Sequence, residues 1–158
     1  MRHLRRAKAD ERQLLEDFQH AAYSRTEAAV GARAIPLEWD YGAIMDECEV
    51  WLNEEGEALL GALILRVMPD ELFLESIATA PQSARSGRGR LLLEATFERA
   101  RQLGLNRVSL ITNSLNPALS WYKRMGFTVD SEDLKPGRVV VHMSARVPET
   151  GPDLEKEV

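Results

Sequence analysis

Three stretches of the 158-residue sequence carry residue types suited to chemistry: a glycine–arginine turn at Arg85–Arg90, a lone acid at Glu75, and an Asn–aromatic segment at Thr112–Phe127. Ser86-Gly87-Arg88-Gly89 stands just before apolar residues at helical spacing, Leu91, Leu92, Ala95 and Ala100. Glycines before a helix let backbone approach a ligand closely. The unpaired amides of the first helical turn then point at it, and the helix dipole favours an anion there. Arg85, Arg88 and Arg90 add positive charge around that mouth. The turn reads as a phosphate or pyrophosphate seat, against the plainer reading of an arginine-decorated surface turn. A P-loop needs Gly-Lys followed by Ser or Thr, whereas Gly89 precedes Arg90 and Leu91. A dinucleotide fingerprint needs three spaced glycines, and here there are Gly87 and Gly89.

Glu75 interrupts the apolar run Leu72–Thr79. Strand spacing puts it on one face with Phe73 and Ile77. An acid among Leu72, Phe73, Leu74 and Ile77 would lose hydration, which raises a carboxyl pKa and suits it to receive a proton. The alternative is a surface glutamate on an edge strand. Cys48 is the one cysteine, so there is no internal disulfide, and it reads as a small core residue. His3, His20 and His142 lie far apart, without metal-ligand spacing, so no metal is expected.

The elements that must position these groups follow from local signals. His3–Arg6 is a short first strand. Asp10 with Gln13 predicts a capping box, and Leu14, Leu15, Phe18, Ala21 and Ala22 mark one face of a helix ending near Ser24. Asp40 predicts the cap of a short helix through Asp46. Tyr23, Trp39 and Tyr41 lie amid Glu38, Asp40, Asp46 and Glu47, which suits either a cationic amine or an ordinary amphipathic connector. Cys48–Asn53, Ala58–Val67 and Leu72–Thr79 read as a three-stranded antiparallel meander. A helix over Leu91–Leu103 leads to a strand at Arg107–Thr112, parallel to the strand before it. Asn116 predicts a cap, with Pro117 opening a helix to Met125. Phe127–Asp130 and Arg138–Arg146 form the last strand pair, joined by SEDLKPG.

The length suits one domain, expected over residues 1–147, with an acidic, disordered tail at 148–158. A net charge of −5 argues against a general nucleic-acid binder. No run of eighteen apolar residues predicts a membrane span, and the N-terminus lacks the apolar core of a signal peptide, so a cytoplasmic protein is expected.

The glycine turn resembles the acyl-CoA-binding motif Q/R-x-x-G-x-G/A of the GNAT superfamily of N-acetyltransferases. Gly87 and Gly89 take the glycine positions, and Ala84 stands where that pattern has Gln or Arg. TNSLNPALSWYKRMGF is similar to the next motif of that family, where an Asn, an Ala and a Tyr precede Gly-Phe. The element order from Leu72 to Val129 matches as well. The resemblance covers the C-terminal half well and the N-terminal half in outline.

This resemblance implies an α/β (α+β) fold: a mixed sheet of six or seven strands, about four flanking helices, and a splayed strand pair that takes the pantetheine arm like an added strand. It implies acetyl-CoA as acyl-donor substrate, without a metal. Ile77, Ala78 and Thr79 would meet the arm, and Arg85, Ser86, Gly87, Arg88, Gly89 and Arg90 the pyrophosphate. Asn116, or its rival Asn113, would add a bond to the cofactor arm. An amide at a strand bulge would stabilise the oxyanion. Glu75 would be the base and Tyr122 the general acid at the CoA sulfur. The expected activity is acetyl transfer to a primary amine by direct attack, with a small-molecule amine as acceptor. Alternatives are a longer acyl group, a protein N-terminus or lysine as acceptor, and a non-catalytic acyl-CoA-binding regulator. A nucleotide-phosphate-binding module fits poorly, for want of Lys and Ser/Thr after the glycines. No nucleic-acid or membrane partner is expected, and a homodimer stays open.

Overall fold

The apolar runs pair into one seven-stranded sheet in the computed structural model, which describes residues 1–30, 35–83 and 86–149. The strands are β1 (Leu4–Arg6), β2 (Glu49–Glu55), β3 (Ala58–Val67), β4 (Leu72–Thr79), β5 (Arg107–Asn113), β6 (Thr128–Lys135) and β7 (Arg138–Arg146). Their order is β1-β2-β3-β4-β5-β7-β6. All neighbours are antiparallel except β4 and β5, which are joined by a helical crossover and run parallel. The described residues form four α-helices: α1 (Arg12–Val30), α2 (Tyr41–Glu47), α3 (Arg88–Gln102) and α4 (Ala118–Arg124). The α/β class and the mixed sheet expected from the sequence are those observed.

Alternation divides the sheet into two apolar faces. Leu63, Leu65, Leu72, Leu74, Val108, Leu110, Val141 and Met143 pack with Leu92, Leu93 and Phe127 on the face covered by α3 and α4. Val50, Leu52, Ala62 and Ile64 pack with Leu15, Tyr41 and Ile44 on the face covered by α1 and α2. Gly61 lets α3 come close to β3, since a Cβ there would lie 3.1 Å from Leu92 Cδ1.

Several boundaries differ from the sequence reading. Asp10 is not a cap: residues Ala9–Glu11 form a 3-10 turn, and Glu11 Oε1 accepts from the Lys8 amide at 2.7 Å. Helix α1 runs to Val30 rather than Ser24, because Ser24 bonds back to the His20 carbonyl and the alanines that follow favour helix. Asp40 does cap α2, accepting from the amides of Gly42 and Ala43. Helix α3 starts at Arg88, so Arg88, Gly89 and Arg90 are its first turn rather than a preceding loop. Residues SEDLK belong to β6, and Pro136-Gly137 alone turns the chain into β7. Gly137 has φ 75°, as the position after proline in a type II turn requires. The tail at 150–158 lies outside the described residues.

Candidate active site

A gap opens in the middle of the sheet. β4 and β5 pair only at Leu72↔Val108 and Phe73↔Ser109. Beyond that point β4 stays with β3 as far as Thr79, and β5 stays with β7 as far as Asn113. Their facing edges diverge toward the end where α3 begins. The cause is local. On β4 the register jumps from Leu74 to Ser76, opposite Leu65 and Ile64, leaving Glu75 as the extra residue of a β-bulge. A bulge leaves its extra residue unpaired and bends the strand.

The bulge also corrects the expected face. After it, Ile77 lies opposite Leu63 and packs on the α3 side. Glu75 and Ser76 turn to the α1 side, so Glu75 does not share a face with Ile77. Glu75 Oε1 accepts from Arg66 Nε at 2.8 Å, and Arg66 Nη1 reaches Glu47 at 3.1 Å. The side chain is therefore an ion-paired carboxylate and not an acid among hydrocarbons.

The backbone of Ile77–Thr79 divides by strand alternation. The Ala80 amide bonds Leu60 on β3, so Ala78 also turns its backbone to β3. Ile77 and Thr79 turn theirs to the gap. The Thr79 carbonyl already accepts from Arg25 Nη2 at 2.7 Å. At the apex, Ser109 is buried and its Oγ has no partner among the described residues.

The mouth of the gap is the start of α3. Gly87 is the N-cap with φ 80°, and among the described residues no side chain caps the helix. The first helical bond runs from the Leu91 amide to the Gly87 carbonyl. The amides of Arg88, Gly89 and Arg90 thus precede the helical ladder and are open to an anion. Among the described residues, a Cβ on Gly87 would meet nothing within 4 Å, and one on Gly89 only the Trp121 ring, at 3.8 Å. Space for a ligand is therefore present.

The side chains of Arg88 and Arg90 do not point there. Arg88 turns back to Asn53 Oδ1 at 2.8 Å and Glu55 at 3.2 Å, and Arg90 pairs with Glu94 at 3.1 Å. Ser86 Oγ donates to the Ser83 carbonyl. Arg85 lies outside the described residues. Among the described residues, the groups open at this helix start are backbone amides. Asn53, which sequence reasoning missed, is fully buried and ties Arg88 to the His3 carbonyl. An amide ending an otherwise apolar strand was its only signal.

Tyr122 projects from α4, edge-on to Phe127 at 5.5 Å and tilted against Trp121 at 5.1 Å. Burial pushes its hydroxyl pKa up, with a smaller push from nearby Tyr23, so it stays protonated near neutral pH. Tyr23 comes from α1 on the other side, and its hydroxyl lies 2.6 Å from Ser76 Oγ. Burial raises its pKa too; the bond to Ser76 opposes that, and Glu75 adds to it. Gln19 Nε2 donates to the same Ser76 at 3.0 Å. This Gln19–Ser76–Tyr23 cluster, just past the bulge, was the second feature missed; a serine inside an apolar strand signalled it. Tyr41 is a core residue, buried and donating to the Pro36 carbonyl, and Trp39 packs against the same cluster.

Asn113 and Asn116 both use their side-chain oxygens on local turns, accepting from the amides of Leu115 and Ala118. Asn116 thus bonds the first amide of α4, but the N-cap position itself is Pro117 and the helix runs Ala118–Arg124, one residue shorter at each end than the sequence reading gave. Cys48 is buried beneath α2, which pushes its thiol up to about 11. It is neither exposed nor ionised at neutral pH, so it offers no nucleophile.

A family model described as Acetyltransferase (GNAT) family matches residues 10–127. No curated protein matches the chain in sequence. Among solved structures, nourseothricin acetyltransferase is 26% identical over 65% of this chain and 66% of its own, with a TM-score of 0.59. The ribosomal-protein-S18-alanine N-acetyltransferase from Escherichia coli is 17% identical, with a TM-score of 0.74 over 95% of this chain and 96% of its own. The PaiA N-acetyltransferase from Thermoplasma acidophilum, solved with coenzyme A, is 15% identical, with a TM-score of 0.75 over 90% and 97%.

Proposed function

The chain belongs to the acetyltransferase (GNAT) family, and we propose that it moves an acetyl group from acetyl-CoA to a primary amine by direct attack on the thioester. One observation carries this reading: the β4–β5 gap ends at a helix start whose amides are open and whose first turn holds no acid. Such a wedge accepts an extended amide-bearing arm, and the helix start accepts a diphosphate. The PaiA enzyme, of similar fold, was solved with coenzyme A, which supports the same substrate here.

In this reading Ile77 offers backbone groups to the arm, and the amides of Arg88, Gly89 and Arg90 hold the diphosphate. The bulge at Glu75 exposes an amide toward the thioester oxygen, where charge develops. Glu75, whose Oε1 accepts from Arg66, is the group that takes a proton from the acceptor ammonium in this reading. Tyr122, kept protonated by burial, gives a proton to the departing sulfur. The acid pair Glu75 and Glu47 around Arg66 favours a cationic acceptor of small size.

The test is thiol release from acetyl-CoA over panels of alkylamines, amino acids, polyamines and peptides. The panel includes peptides with N-terminal alanine, because the E. coli relative is named for a protein alanine. At least one amine should give stoichiometric thiol and acetylated product. Tight CoA binding with no thiol release from any panel would replace this reading with that of an acyl-CoA-binding regulator.

A further inference from the structure

A strand edge that faces a gap leaves its backbone groups to water or to whatever enters the gap. On β4 these groups belong to Ile77 and Thr79. The Ala80 amide bonds the Leu60 carbonyl on β3, and alternation turns Ile77 and Thr79 the other way. The Thr79 carbonyl already has a partner. Arg25 of α1 donates to it from Nη2 at 2.7 Å. Arg25 and Thr79 lie 54 positions apart, so the packing of α1 on the sheet sets this contact.

The contact differs from the other arginine bonds around the site. Arg66, Arg88, Arg90 and Arg99 each pair with a carboxylate. Arg25 is held by a neutral backbone carbonyl instead, and it is an exposed residue. A hydrogen bond at an exposed position contributes little net stability, because water replaces it readily. Such a bond yields to a ligand that makes several bonds along the same edge at once.

The geometry sets the two partners against each other. An added strand lies about 4.8 Å from its neighbour, with N–H···O distances near 2.9 Å. A donor 2.7 Å from an oxygen that points into the gap stands within the width such a strand fills. We propose that Arg25 competes with the pantetheine arm for the Thr79 carbonyl, so that acyl-CoA binds by displacing the guanidinium; this rests on the acyl-CoA reading above. An amide N–H of the arm takes the oxygen, and the guanidinium turns to solvent on the α1 side. One hydrogen bond replaces another, and the affinity for CoA is lowered by the strength of the bond that Arg25 gives up. The same competition assists departure of CoA after transfer, since Arg25 retakes the carbonyl as the arm leaves it.

The test is calorimetry of CoA binding to wild type, Arg25→Ala and Arg25→Met in about 0.5 M salt, where the Debye length is about 4 Å and the loss of a surface charge acts weakly. Alanine removes the side chain, methionine keeps a stem of similar length, and both suit a helix. Each variant should bind CoA about 3- to 10-fold more tightly, as for removal of one exposed competing bond. ADP, which has the diphosphate and lacks the arm, should bind the variants as it binds wild type. Unchanged or weaker CoA binding in the folded variants overturns the proposal, as does an equal gain for ADP. A thermal melt checks folding, and a damaged fold lowers affinity, so it does not imitate the expected gain. A wild-type protein that binds no CoA defeats the acyl-CoA reading instead, before any variant is made.

Discussion

Replacing Gly89 with aspartate should separate what the helix wants from what the ligand needs. The first turn of α3 holds no acid and carries Arg88 and Arg90, the reverse of what its dipole favours. An aspartate at Gly89 would complement the dipole by about 0.3–1 kcal/mol, and leaving glycine inside a helix adds a few tenths more. Its Cβ meets only the Trp121 ring, at an ordinary 3.8 Å. For a domain of this size, about 1 kcal/mol raises Tm by roughly 2–4 °C. The diphosphate should be lost at the same time. A unit charge about 6 Å from two negative charges costs about 1.4 kcal/mol in water-like surroundings and about 5.5 at an effective dielectric of 20. That corresponds to a rise in Kd for CoA of about tenfold to about ten-thousandfold. Calorimetry on Gly89→Asp, with Gly89→Ala to isolate the methyl group, reads both effects beside a thermal melt. Unchanged CoA affinity in a stabilised Gly89→Asp protein would falsify the backbone seat at the start of α3.

Tyr122→Phe keeps the ring that packs on Phe127 and should cut kcat by about 10- to 1000-fold at nearly constant KM for acetyl-CoA; full activity would make Tyr122 structural. Glu11 is held down to about 2 by its two-pronged bond to Arg5 and by the Lys8 amide. Its folded pKa is below the unfolded one, so the stabilisation is present above about pH 4.3 and is lost as pH falls through about 2. Urea midpoints of wild type and Glu11→Gln should differ at pH 7 and converge as pH drops through that window; a constant offset would refute the linkage. Cys48→Ala should keep wild-type kcat in a somewhat less stable protein, since the thiol is buried and protonated; loss of turnover with intact folding would reopen a covalent route.

Residues acting within a few positions of themselves were legible in the sequence. Asp40 and Asn116 bond amides two residues on, which is a property of the short polar side chain wherever a helix starts. Gly87 before an amphipathic run marked the start of α3, and the apolar runs with a helix between them marked the parallel crossover. A resemblance resting on the Gly87–Gly89 turn and on the Asn, Ala, Tyr and Gly-Phe of the next segment named the family, because those residues lie close together in the chain. The side-chain partners were not legible. Arg88 and Arg90 read as ligand groups, yet Asn53, Glu55 and Glu94 hold them, and two of those three come from a distant strand.

Only the tertiary structure decided the chemistry of the gap. Alternation along β4 predicts that Glu75 and Ile77 share a face, but the register against β3 inserts a bulge between Leu74 and Ser76 and sends them to opposite sides. A bulge is a property of two strands, so one strand's sequence does not contain it. The pairing of Tyr23 with Ser76 spans 53 positions, and that of Arg25 with the Thr79 carbonyl spans 54. Local propensities are set by each residue and its near neighbours. Register, splay and the meeting of distant side chains are set by the balance of burial over the whole sheet, which no short stretch of this chain encodes.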